Sequence, residues 1–132
     1  MARRRGARRI ALEVLYEHEV SGRAVGDILE RCSMEPSFEF AGTLVRGVEE
    51  RRADLDQVLS RYAHEWPVSR MPAIDRNLLR LGALEILYLP DIPPAVTINE
   101  AVELAKRYST QNSSRFVNGV LGQIAEQEAS RI

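Results

Sequence analysis

The stretch from Ile74 to Leu89 limits what this chain can fold into more than any other. Ile74, Leu78, Leu79, Leu81, Ala83, Leu84, Ile86, Leu87 and Leu89 leave only a narrow polar strip of Arg76 and Arg80. A helix that is apolar over most of its circumference has to be covered on nearly every side, so the other elements must be arranged around it. Pro72 sits well in the first turn of such a helix, and Pro90, Pro93 and Pro94 force an extended loop after it.

The remaining segments supply amphipathic helices able to do the covering. From about Arg5 to Val20, Ala7, Ile10, Ala11, Val14 and Leu15 recur at the spacing of one helical face, and Ser21-Gly22 ends the run. Val25, Ile28, Leu29 and Cys32 carry a short second helix that stops before Glu35-Pro36. Ser37 is an N-cap candidate for a third, with Phe38, Ala41, Leu44, Val45 and Val48 on one side. Leu55, Val58, Leu59 and Tyr62 continue in nearly the same phase, either as a fourth helix after a break near residues 51–54 or as one kinked helix. A single turn is expected around Pro67–Arg70. Thr97-Ile98-Asn99-Glu100 reads as a capping box opening a helix with Ala101, Val102, Leu104, Ala105 and Tyr108 buried. A polar break at Ser109–Ser114 leads to a last helix burying Phe116 or Val117, then Val120, Leu121, Ile124 and Ala125. The expected fold is all-α: about seven helices in two packed bundles that share the Ile74–Leu89 helix as their axis. Residues 1–132 are read as one domain, with an Arg-rich arm (1–9), an N-terminal helical half (about 10–52) and a C-terminal half (about 53–132).

Charge is distributed unevenly. Residues 1–9 carry Arg3, Arg4, Arg5, Arg8 and Arg9 and no acid, whereas residues 10–60 hold eleven acids against five arginines. A basic arm on a mildly acidic body suits a localised anionic partner such as RNA. The alternative is a solubilising tail; because seventeen of the eighteen basic residues are arginine, arginine as such is no sign of RNA selection. Cys32 is alone, which argues against an internal disulfide and for a reducing compartment. His18 and His64 lack the spacing of metal ligands, and no metal or cofactor is expected. No nucleophile–base pair or nucleotide-binding motif is legible, so the chain is read as a binding protein and not an enzyme. With no secretory h-region and no apolar run of about 20 residues, it is read as cytoplasmic and without a membrane partner.

Two regions are candidates for contact with RNA. Arginines of the arm, Arg4, Arg5 and Arg8 among them, give bidentate phosphate contacts and can stack on bases. Around Asn112-Ser113-Ser114-Arg115-Phe116, small polar side chains and a helix N-terminus favour anions, and Phe116 is placed to stack on a base or to start the core stripe. Lys106 and Arg107 extend a positive rim. Tyr16 lies nearly opposite the buried face of its helix, which fits either a lone surface aromatic or a binding anchor.

Five motifs occur in order along the chain: R-x-x-A-R near the N-terminus, Leu15-Tyr16, D-R-x-x-L-R from Asp75 to Arg80, V-x-I-N-E-A-V-E-L-A-K ending at Lys106, and F-V-N-G-V-L from Phe116 to Leu121. Together they resemble the NusB family of transcription antitermination factors, over nearly the whole length. The resemblance implies a non-enzymatic, all-helical protein of two bundles. It further implies binding of boxA RNA, chiefly in ribosomal RNA operons, together with ribosomal protein NusE, other Nus factors and RNA polymerase. Carried over residue by residue, it implicates Arg4, Arg5, Arg8, Asn112, Arg115 and Phe116 in RNA contact, and Tyr16 and Asp75 in NusE contact. Asn112 stands where some members have an acid, and Gly6 where many have a base. Some relatives form dimers, so a homodimer is a further partner state. Two alternatives are a NusB-like domain of a ribosomal RNA methyltransferase system and a helical protein–protein adaptor without an RNA role.

Overall fold

The computed structural model describes residues 2–128, with side chains from Arg4 onward. Its axis is α4 (Ala73–Tyr88), along which Leu78, Leu79, Leu81, Ala83, Leu84 and Ile86 are all buried. Around it pack α1 (Ala2–Ser21), α3 (Phe38–Tyr62), α5 (Pro94–Tyr108) and α6 (Gln111–Gln127), while the short α2 (Val25–Glu30) leans on α1 and α3. Among the described residues there is no strand, and no helix is long and apolar enough to cross a membrane.

Among the described residues six α-helices and a 3-10 turn at Val68–Arg70 stand close to the expected count of about seven helices. The third and fourth expected helices are one element, bent at Arg51 (φ −113°, ψ 16°). No proline or glycine interrupts residues 48–55, and Val48 and Leu55 remain in phase on the core, so the chain bends instead of stopping. At the bend the Arg51 guanidinium lies 4.0 Å from the centre of the Tyr88 ring, a cation–π contact that ties α3 to the end of α4. The arm is also helical: α1 begins at Ala2, ahead of the expected Arg5. Gly6 serves close packing, since a Cβ there would come within 2.9 Å of Ser37 Oγ at the start of α3. Gly82 does the same between α4 and α6, with Leu121 Cδ1 only 2.5 Å from where a Cβ would stand.

The capping box is not formed. Pro93 and Pro94 start α5 four residues early, at the helix positions where a missing N–H does no harm. Thr97 is thereby inside the helix and buried, and its hydroxyl donates to Glu85 Oε1 at 2.7 Å. Glu100 turns outward to Arg5.

The polar strip of α4 is satisfied by ion pairs. Arg80 donates two bonds of 2.8 Å to Asp56 of α3. Arg76 pairs with Glu19 of α1 and also donates to the carbonyls of Val68 and Met71, at 2.9 and 3.0 Å, holding the 3-10 turn. Glu85 is 1% exposed and takes both its oxygens to Arg8 of α1, at 2.8 and 2.9 Å. Removing one member of a buried pair leaves the other charge uncompensated. Glu85→Ala should therefore lower unfolding free energy by about 3–5 kcal/mol in a urea titration; a loss below about 1 kcal/mol would show that Arg8 finds water or another acid.

Burial alone would raise the Glu19 carboxyl, but the hydrogen bond and charge of Arg76, helped by Arg80 and Asn77, outweigh it and hold Glu19 below its ordinary 4.5. A carboxylate lowered in the folded state adds stability above its unfolded value and loses it as pH falls through the folded one. Between wild type and Glu19→Gln, the stability difference should be full above about pH 5 and shrink as the pH drops below 4.5. A difference independent of pH would contradict this.

Candidate functional site

The helical start of α1 lays its arginines along α4 and α5. Arg4 reaches Asp91 in the α4–α5 loop at 3.3 Å and lies 5.1 Å from the centre of the Phe40 ring. Arg5 donates from Nε and Nη2 to Glu100 at 2.8 and 3.2 Å, yet its side chain is 78% exposed, so the rest of the guanidinium faces solvent. That hydrogen bond and the charge of Glu100 raise its pKa further. Arg8, one turn on, is 6% exposed and locked on Glu85, with Glu100 3.8 Å away.

At the other end of α5 the chain turns through Ser109 and Thr110 into α6. Thr110 caps α6, its hydroxyl accepting from the Ser113 amide at 3.0 Å. Ser109 and Thr110 donate to Ser113 Oγ, which donates to Asp75 Oδ2 at 2.7 Å. This relay pins the first turn of α6 to the first turn of α4. It leaves Asn112 and Arg115 exposed and Phe116 half-buried. The Phe116 ring meets Trp66 edge to face, 5.6 Å between centroids at 71°. Arg4 and Arg5 thus gather at one end of α5, and Asn112, Arg115 and Phe116 at the other. Eight residues from Glu100 to Tyr108 separate the groups by about 12 Å.

Beside this surface lies an apolar depression of about 440 Å³ lined by Leu12, Tyr16, Val20, Ile74 and Tyr108, with Glu13 and Glu17 at its rim. Tyr16 is 41% and Val20 66% exposed. Exposed apolar side chains clustered around a concavity mark a surface for a partner. Among the described residues no three His, Cys, Asp or Glu side chains are grouped to hold a metal ion.

Residues 5–126 match the model of the NusB family. The chain belongs to that family. It is 50% identical over 129 residues to the transcription antitermination protein NusB of Kineococcus radiotolerans, covering 96% of this chain and 95% of the relative. To that of Myxococcus xanthus it is 42% identical over 134 residues, covering 95% and 96%. Among solved structures, NusB of T. maritima superposes with a TM-score of 0.86 at 38% identity, covering 98% of this chain and 97% of that one. A crystal structure of antitermination factors NusB and NusE with double-stranded RNA matches at a TM-score of 0.85 and 29% identity, covering 96% and 98%. Membership places the chain among antitermination factors and not among enzymes.

Two residues expected at NusB-type contact surfaces are placed inside. Arg8 spends its donors on Glu85 within the protein, so direct contact with RNA is not open to it in this conformation. Asp75 is fully buried; Oδ2 accepts from Ser113, and Oδ1 has no hydrogen-bond partner among the described residues. It sets the position of α6 behind the surface and does not present itself to a partner. Arg4, Arg5, Asn112, Arg115 and Tyr16 do reach solvent, and Phe116 does so at the edge of the core.

Trp66, which touches Phe116, and the lining of the depression other than Tyr16 were not singled out as candidates in the sequence. A signal for the lining existed: Leu12, Tyr16 and Val20 follow one another at four-residue spacing, a second apolar line opposite the main stripe of α1. Because Phe116 carries both a core contact and exposed ring surface, its removal should do two things. Phe116→Ala should lower the melting temperature modestly and weaken RNA binding by about 1–3 kcal/mol, the range for one stacked base. Unchanged RNA affinity in a folded variant would leave Phe116 a packing partner of Trp66 only.

Proposed function

We propose that this chain binds single-stranded boxA-type RNA through Arg4, Arg5, Asn112, Arg115 and Phe116, and ribosomal protein NusE at the depression beside Tyr16. With other Nus factors it then joins RNA polymerase and suppresses premature termination, chiefly in ribosomal RNA operons. What carries the reading is the division of one molecule into two kinds of surface: outward guanidinium groups and an aromatic edge along α5 and α6, and an apolar depression on α1. The first suits an anionic strand with bases free to stack, the second a protein side chain. A NusB relative captured with NusE and RNA together supports joining the two in one function.

Fluorescence anisotropy at stated salt would test it, with labelled boxA RNA, a scrambled strand and the boxA duplex, each with and without NusE. The expected result is preference for single-stranded boxA and tighter binding with NusE. Tyr16→Ala should keep RNA binding by the free protein and lose the gain from NusE. Equal affinity for boxA and scrambled RNA in every condition would overturn the RNA assignment. An unaltered NusE effect in Tyr16→Ala would overturn the placement of the partner.

A further inference from the structure

A strand that reaches both groups of RNA-facing residues has to cross the seam between α1 and α5. Long side chains bridge that seam at two points: Arg5 to Glu100, and Tyr108 to Glu13 at 3.2 Å between the hydroxyl and Oε2. On α1, Arg5, Arg9 and Glu13 follow at four-residue spacing along one line; on α5, Glu100, Glu103 and Arg107 form the line that faces it. The span between the two bridges therefore has Arg9 on one side and Arg107 on the other.

The state of these two arginines distinguishes them from most of the others. Arg8, Arg76 and Arg80 are committed to carboxylates at short range within the protein. Arg9 touches Glu13 only at 3.4 Å, and its side chain is 37% exposed. Arg107 is exposed and, among the described residues, has no carboxylate partner; its guanidinium lies 5.7 Å from the centre of the Tyr108 ring. Glu13 keeps the Tyr108 hydroxyl when Arg9 leaves it, so an incoming phosphate can take Arg9 without breaking the bridge. Glu103, the remaining exposed acid of the seam, is engaged by Lys106 at 3.8 Å.

We infer that Arg9 and Arg107 are phosphate-binding residues that carry the RNA backbone across the α1–α5 seam, joining the arm to the start of α6. The inference rests on the RNA reading above. A basic residue in the last turn of α5 also suits the helix dipole, but that role affects folding and not the salt dependence of RNA binding.

The test is the salt dependence of boxA RNA binding, read by anisotropy for wild type, R9Q, R107Q, the double variant and R46Q. Arg46 is exposed on α3 and serves as the control for lost charge alone. Each lost phosphate contact should weaken binding several-fold at low salt and reduce the slope of log K against log salt by about 0.7, the value per contact for single strands. The double variant should lose about 1.4 and R46Q nothing. Melting curves verify that each variant is folded. Wild type that binds while R9Q and R107Q keep its slope would overturn this inference and leave the RNA reading intact. The same loss in R46Q would overturn it too, by showing a bulk-charge effect. Wild type that binds no RNA would overturn both.

Discussion

The ion pair between Arg8 and Glu85 is the interaction on which the positions of the other groups depend. Both side chains are almost wholly buried, and such charges are tolerable only when geometry and further hydrogen bonds satisfy them. Here two short bonds do so, with Thr97 supplying a third to the same carboxylate. Three helices meet at Glu85: α4 carries it, α1 brings Arg8 and α5 brings Thr97. With that junction made, Arg5 falls opposite Glu100 and Arg4 opposite Asp91, and the beginning of α1 becomes a docked helix with an outward row of guanidinium groups.

The fold was largely legible in the sequence, and the reasons differ by element. The Ile74–Leu89 run could hardly be other than a covered helix, and its neighbours showed single apolar stripes. Residues 51–54 were harder, because a solvated stretch of charges looks alike in a bent helix and in a break; only the cation–π contact of Arg51 with Tyr88 and the shared phase of Val48 and Leu55 decide it. The capping box misled because T-x-x-E reports a helix start only when the hydroxyl is unclaimed. A buried glutamate on the preceding helix, invisible to local pattern, claimed it.

The candidate site shows the same limit. Composition counts arginines and does not say which of them turn inward: Arg5 and Arg8 are three residues apart, one nearly bare and one sealed. Asp75 likewise matched a family motif, yet in this chain it stands behind the surface at the end of a hydroxyl relay. Burial distinguishes a residue that makes contact from one that holds a contacting segment in place. Phe116, which helical spacing left between core and surface, belongs to both, because Trp66 covers one edge of its ring.

The helical start of α1 has a thermodynamic consequence. A helix N-terminus carries partial positive charge, and the first turn of α1 holds no acid but several arginines, so like charges are stacked at one end. Packing through Arg8 and Gly6 tolerates that repulsion; a bound polyanion would relieve it. Helix end and ligand are then linked: occupancy stabilises the end, and a change that melts the end lowers affinity in proportion to the fraction of molecules left helical. The opening turns of the chain would report the concentration of their own ligand.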